Sequence, residues 1–168
     1  MYIINEYLKN PDYGFGNQPY YASTFMYMEE GGKLYFGPMW DCDISMGRND
    51  YKPLESEGFR DTYAPTDYLI GNTHWINTLL TDESFVNKVK ERWKEFRIDV
   101  IDMIENKAPE MMDKVNATYQ YDYQTFNEKY KQRTTQWSNR VPYDFKEECE
   151  YILDFMNKRL QWMDEQFL

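Results

Sequence analysis

The chain has 168 residues, 42% of them hydrophobic, and a formal net charge of −10. This is the length of one domain, or of a piece of a larger protein, and the apolar content excludes wholesale disorder. The acidic balance excludes a basic nucleic-acid-binding surface, and no stretch reaches the roughly 20 apolar residues of a membrane span. The sequence therefore predicts a single domain over residues 1–168, with no nucleic-acid partner and no membrane span.

The first predicted element is a short helix over residues 2–8, in which apolar side chains recur at helical spacing. The apolar pattern begins without a capping residue, which suggests that sequence upstream has been lost. Asn10 precedes a proline, and this position disfavours helical backbone. A loop rich in glycine and asparagine is therefore predicted over residues 10–20. Its Gly14-Phe15-Gly16 run is interpreted as a turn, because a lone G-x-G is a weak phosphate-loop motif.

Two strands rich in aromatic residues are predicted next, over residues 22–29 and 33–39. Gly31-Gly32 between them favours a hairpin with a two-residue turn. Residues 40–72 lack periodicity and contain many glycine, proline, aspartate and asparagine residues. A loop of this length inside a compact domain is usually functional.

Residues 73–168 are predicted to be helical. A short helix covers residues 74–80, and Thr81-Asp82 is the predicted N-cap of the next helix. One face of that helix carries apolar residues at 4-4-3-4 spacing, namely Phe85, Val89, Trp93, Phe96 and Val100.

Pro109 predicts a kink or a break after this helix. A further helix begins at Asp122 or Tyr123 and ends at Trp137, with Phe126, Tyr130 and Trp137 pointing inward. The last helix carries one apolar stripe, formed by Phe145, Cys149, Ile152, Met156, Leu160, Met163 and Phe167. The predicted fold class is therefore α+β, mainly α.

A set of oxygen-bearing side chains flanks the predicted hairpin. Phosphoryl transfer in protein kinases uses Asp-x-x-x-x-Asn in a catalytic loop, then a hairpin, then a second aspartate that holds magnesium. Asp12 and Asn17 have that spacing, and Asp41 and Asp43 follow the hairpin in Trp-Asp-Cys-Asp. The alternatives are that Asp12 is a turn residue, and that Asp41 and Asp43 are turn formers or a calcium site.

Three segments resemble the CotH-type kinases, the spore-coat protein kinase-like group that also occurs in many secreted bacterial proteins. They are INEYLKNPDYGFGN (4–17), GGKLYFGPMWDCD (31–43) and LLTDESFVNKVKERWKEFR (79–97). The resemblance implies a kinase-like C-lobe. In it, residues 1–72 hold the catalytic loop, hairpin and metal loop, and residues 73–168 form a helical bundle. It also implies that an N-lobe precedes residue 1, so that this chain is a C-terminal lobe fragment without activity of its own.

The resemblance assigns a role to each oxygen-bearing side chain. Asp12 is implied to be the catalytic aspartate that positions the acceptor hydroxyl. Asn17 and Asp41 are implied to hold the metal, and Asp43 is a supporting metal ligand. The implied cofactors are ATP and Mg²⁺, and the implied partner is a protein substrate with a Ser or Thr hydroxyl.

The resemblance further implies that Asn5 and Glu6 buttress the catalytic loop, and that the parent protein is extracytoplasmic or lies at the cell surface. The alternative function is a non-catalytic cell-surface module, whose tyrosine-rich surface binds protein or glycan and whose carboxylates hold a structural cation. The apolar stripe of the last helix favours either a homo-oligomer or a place in the core.

Overall fold

The structure is a computed structural model that describes residues 1–10, 13, 23–43, 45–47, 65–68, 74–131 and 145–168. Its elements in chain order are α1 (Tyr2–Leu8), β1 (Met26–Met28), β2 (Leu34–Phe36), α2 (His74–Leu79), α3 (Glu83–Asp102), a π-helical turn (Met103–Lys107), α4 (Ala108–Lys131) and α5 (Phe145–Phe167). The fold is α+β and mainly α, as predicted. Within the described ranges, no helix is both long enough and apolar enough to cross a membrane.

The core lies where α1 packs against α3 and α5. Trp93 of α3 is fully buried and contacts the ring of Tyr7 of α1, with 6.2 Å between ring centroids. Its indole Nε1 donates a hydrogen bond to Asp164 Oδ1 of α5 at 2.9 Å. The buried members of this core are Ile3, Tyr7, Val89, Trp93, Val100, Ile104, Met156, Trp162, Met163 and Phe167. Three of them belong to the predicted apolar face of α3 (Val89, Trp93 and Val100) and three to the carboxyl-terminal half of the predicted stripe on α5 (Met156, Met163 and Phe167). Phe85, Phe96 and Leu160 of the same two patterns are partly buried against them.

The two strands form an antiparallel hairpin in which Tyr27 pairs with Tyr35. The hairpin was predicted, but its turn lies one residue earlier than Gly31-Gly32. The amide of Gly32 donates to the carbonyl of Glu29 at 2.8 Å, and Gly31 has a φ of 70°. This hydrogen bond defines a four-residue turn from Glu29 to Gly32, so its central residues are Glu30 and Gly31. Gly31 occupies the third position, which is the one that needs a positive φ in this turn.

The helical region differs from the prediction at two places. Pro109 causes no break: α3 continues through the π-helical turn Met103–Lys107 into α4. A π turn is a common site of helix irregularity, and here it ends at Lys107, two residues before Pro109, whose nitrogen carries no amide hydrogen. The helix predicted from residue 122 is part of α4, which has a non-helical backbone at Phe126. The inward orientation of Phe126 was wrong, because its side chain is exposed; Tyr130 and Trp137 lie outside the described side chains.

The amino terminus of α3 gives a first prediction for stability. Asp82 is the N-cap, and its Oδ1 accepts a hydrogen bond from the amide of Phe85 at 3.0 Å. We expect Asp82→Ala to lower the free energy of unfolding by about 1 kcal/mol, since it leaves a helix-end amide without its acceptor. Asp82→Asn is the matched control and should lose far less, because asparagine caps as well as aspartate. Equal losses in urea denaturation of the two variants would argue against a capping role.

Candidate functional site

The turn after β2 is described at residues 41–43 and 45–47. It carries Asp41 and Asp43, two of the four predicted site residues. The other two, Asp12 and Asn17, lie outside the described residues. Asp41 and Asp43 are both exposed, and Asp41 has a left-handed backbone with a φ of 56°. Aspartate is one of the few residues other than glycine that adopt this conformation readily.

The two carboxyl groups lie against each other. A hydrogen bond to Asp43, followed by desolvation and by repulsion from its charge, raises the pKa of Asp41 above its ordinary value. The nearby Ser23 hydroxyl opposes this shift, because it favours the charged carboxylate. Ser23 Oγ is buried and has no hydrogen bond of standard geometry to any described residue. A bound cation would favour the charged form of Asp41 and relieve the repulsion between the two carboxyl groups.

The carboxylate and hydroxyl oxygens at this turn are ligands that suit a hard cation. Carboxylate and hydroxyl oxygens are the ligands that Mg²⁺ takes in proteins, where it commonly binds one or two carboxylates together with waters and substrate phosphates. Among the described residues, no group of three or more His, Cys, Asp or Glu side chains could hold a metal. At this turn the described part of the chain supplies two carboxylates, and two carboxylates can hold Mg²⁺ when waters and phosphate oxygens complete its coordination.

Two hydrogen bonds join this turn to the end of α1. The amide of Met46 donates to the carbonyl of Leu8 at 2.8 Å. The side-chain amide of Asn10 donates to the Sγ atom of Cys42 at 3.5 Å. Cys42 lies between the two aspartates in the sequence. Asn10 also donates to Asn5 Oδ1 at 3.1 Å. The segment that leads from α1 toward Asp12 is therefore in direct contact with the turn that carries Asp41.

The backbone is unusual at these two segments. Lys9, Asp41 and Met46 have φ values of 47°, 56° and 57°, and they are the residues other than glycine with positive φ in the described part of the chain. Lys9 ends α1, and the other two lie in the turn after β2. Such conformations cost free energy and are found most often at functional sites, where the surrounding contacts hold them.

Charged side chains surround the end of α1, and the sequence-based interpretation missed three of them. Asn5 and Glu6, implied to buttress the loop, are fully buried. Glu6 Oε1 accepts a hydrogen bond from Arg159 Nη2 at 2.5 Å, and Lys9 forms an ion pair with Asp67. Lys9, Asp67 and Arg159 were not predicted. A sequence signal existed for Arg159, which is a charged residue between Met156 and Met163 on the apolar stripe of α5.

Gly47 closes the turn and gives a second prediction. Its φ is +71°, its carbonyl accepts a hydrogen bond from Tyr151 Oη at 3.0 Å, and a Cβ at this position would overlap Tyr151 Oη. Gly31 has nearly the same φ, +70°, with nothing within 4 Å of the corresponding Cβ position. We expect Gly31→Ala to lose about 1–2 kcal/mol of stability from backbone strain alone. Gly47→Ala should lose about 1–3 kcal/mol more, because it also overpacks the site.

Urea denaturation of both variants measures this difference. Because the two glycines share a backbone conformation, the matched pair separates overpacking from strain. Equal losses would contradict the close packing of Gly47 against α5.

Comparison with known protein families gives one match, to the family described as CotH kinase protein, over residues 1–163. No curated protein and no solved structure matches the chain. The family match covers nearly the whole chain and includes the helical region beyond residue 97, to which the recognised motifs do not extend. The chain therefore belongs to the CotH kinase protein family.

Proposed function

We propose that this chain carries the metal-binding and acceptor-binding part of a protein kinase, which transfers phosphate from ATP to a Ser or Thr hydroxyl with the help of Mg²⁺. The observation that carries this proposal is the contact between the Asp41 and Asp43 carboxyl groups on a left-handed turn. That turn is bonded to the end of α1, from which the Asp12 loop begins. Membership of the CotH kinase protein family supports the same reaction class.

Each residue has a distinct role in this proposal. Asp41 and Asp43 hold Mg²⁺, and Asn17 contributes its amide oxygen from the loop that follows α1. Asp12 orients the acceptor hydroxyl and accepts its proton as the hydroxyl oxygen attacks the γ-phosphorus. The bond between the γ-phosphorus and the bridging oxygen of ATP breaks, and ADP leaves with the electron pair. The cation, when bound, supplies positive charge that neutralises the phosphate oxygens of ATP. The chain's own contribution is to fix these oxygen ligands in advance of binding, which is the main requirement of phosphoryl transfer.

The test is transfer of labelled phosphate from the γ-position of ATP to protein, in the natural protein that contains this sequence. We expect transfer that requires Mg²⁺ or Mn²⁺, stops on addition of EDTA and resumes when the cation is restored. Phosphoamino-acid analysis should identify phosphoserine or phosphothreonine. A folded protein that transfers no phosphate at any divalent-cation concentration would reject the kinase proposal.

The exposed aromatic side chains of the hairpin favour a second candidate, a non-catalytic module that binds protein or glycan and uses the carboxylates for a structural cation. The rings of Tyr27 and Tyr35 stack with 5.0 Å between centroids, and Phe25 meets Trp40 edge-on at 6.1 Å. All four side chains are exposed, and such rings suit the amphipathic faces of sugars and proteins. This candidate predicts that EDTA lowers the melting temperature while phosphotransfer is absent with or without cation.

A further inference from the structure

Arg159 lies on the buried face of α5 and is fully excluded from solvent. Burial lowers its pKa, an effect that the charge of Glu6 opposes. A buried guanidinium is costly unless its donors are satisfied and its charge is paired. Its partners therefore show what this residue holds in place.

The guanidinium joins α1 to the segment that contains residues 65–67. Arg159 Nε and Nη2 donate to the carbonyl of Glu6 at 3.1 and 2.6 Å, and Nη2 also donates to the Glu6 carboxylate. On its other side, Nη1 donates to the carbonyls of Pro65 and Asp67 at 2.9 and 2.6 Å. The ring of Trp162 lies 4.3 Å beneath the guanidinium carbon. Rigid forked geometry of this kind is particular to arginine.

The bond to the Glu6 carbonyl has a specific effect on α1. The last carbonyls of a helix have no partner within the helix and carry partial negative charge. The Glu6 carbonyl lies in the last turn of α1 and accepts the amide of the C-cap residue Lys9 at 3.1 Å. Arg159 adds a cation and two further donors to this carbonyl, so it reinforces the end of the helix from outside. Lys9, which ends α1 in a left-handed conformation, is itself buried and paired with Asp67. The four charges balance, with two cations facing two anions.

The end of α1 is thus hydrogen-bonded both to Arg159 and to the turn that carries Asp41. Leu8 receives the amide of Met46, and Asn10 contacts Cys42. We propose that Arg159 is a positioning residue, which acts through Glu6 and the end of α1 to set the geometry of the Asp41 metal site; this inference rests on the proposed function. If Arg159 only stabilised the fold, a variant of Arg159 whose stability had been restored by a second substitution would keep the Asp41 site intact.

The variants are chosen to separate these two roles. Arg159→Met alone removes the cation that is hydrogen-bonded to the buried Glu6 carboxylate and should greatly destabilise the fold. Glu6→Leu/Arg159→Met removes both charges and keeps apolar bulk, which can restore stability, but it cannot restore the bonds to the carbonyls of Glu6, Pro65 and Asp67. The matched control is Arg97→Met/Asp164→Leu, which removes a second ion pair that α5 makes with a described residue of α3, together with the acceptor of the Trp93 indole.

Two measurements follow on each folded variant: the dissociation constant for Mn²⁺, by electron paramagnetic resonance, and the hydrogen exchange rate of the Met46 amide, by NMR. We expect Glu6→Leu/Arg159→Met to bind Mn²⁺ at least about 10-fold more weakly than the wild type, and to exchange the Met46 amide about 10-fold faster. The control variant should match the wild type in both. If Glu6→Leu/Arg159→Met matches the wild type in both measurements, or if the control shows the same losses at equal melting temperature, the positioning role is overturned.

Arg159→Lys keeps the inference testable if the double variant does not fold. Lysine retains the charge but cannot bind Glu6 and the 65–67 carbonyls together, so it should show the same two losses. A folded Arg159→Lys protein with wild-type Mn²⁺ affinity and Met46 exchange would overturn the inference. Absence of Mn²⁺ binding by the wild type would instead reject the proposed function, and the Met46 exchange rates would then decide the positioning role alone.

Discussion

Replacing Asp41 with asparagine is expected to lower phosphotransfer by at least about 100-fold, because the proposed function makes Asp41 a charged metal ligand in a site that works by electrostatic stabilisation. The same change should leave the melting temperature unchanged or raise it. Asp41 is exposed and lies against Asp43, and contact with Asp43 raises the pKa of Asp41. Asparagine also adopts the left-handed backbone of this position without added strain. Lost activity with retained stability is typical of a functional carboxylate.

Two companion variants make this prediction specific. Asp43→Asn should lower phosphotransfer less than Asp41→Asn, since Asp43 is the supporting ligand. Asp102→Asn is the matched control: it removes an exposed carboxylate from an ion pair with Lys107 at the end of α3, away from the turn. It should leave phosphotransfer unchanged. Equal activity in Asp41→Asn and wild-type protein would remove Asp41 from the proposed mechanism, whereas a large fall in melting temperature would favour a structural cation.

The geometry around Asp41 costs the fold stability, and it supports the proposed metal site. Two adjacent carboxyl groups repel each other, and neither the left-handed Asp41 nor the left-handed Met46 lowers the free energy of the fold. The bonds from Met46 to Leu8 and from Asn10 to Cys42 hold this strained turn against α1. Strained backbone conformations that the surrounding contacts maintain cluster at functional sites.

Local patterns in the sequence predicted most of the described fold. The apolar spacing through Val89, Trp93 and Val100 identified the buried face of α3, because burial follows helical periodicity directly. Asp82 was predicted as a cap because its side chain bonds within its own turn. Asp41 and Asp43 were proposed as site residues partly because they follow a hairpin, which brings the chain back to its starting point. The roles of Asp41, Asp43, Asp12 and Asn17 stay predictions.

The features that were missed depend on contacts between distant parts of the chain. Glu6 and Arg159 are 153 residues apart, and nothing near either residue shows that the two charges are buried together. Phe126 was wrongly placed inward because helical spacing was extended through a position where the backbone is not helical. Helical periodicity predicts which side chains face the core only where the backbone is a regular helix. A residue with non-helical backbone therefore changes the orientation of the side chains that follow it.

Trp93→Ala is expected to be the most destabilising substitution in the core, with a loss of about 3–5 kcal/mol in the free energy of unfolding. The side chain is fully buried, and its ring contacts Tyr7 and Phe96, each at 6.2 Å between centroids. The substitution leaves a large cavity and also removes the donor to Asp164. For a protein of this size, the loss corresponds to a fall of about 6–20 °C in melting temperature.

Trp75→Ala is the matched control, because it removes the same side chain from an exposed position on α2. Surface substitutions change stability by about 0.5 kcal/mol or less, so its transition in urea should nearly coincide with that of the wild type. Comparable losses in the two variants would mean that Trp93 does not occupy the centre of the core. A large loss for Trp93→Ala alone would support the joint packing of α1, α3 and α5, and this packing holds in place the helix end that the Asp41 turn contacts.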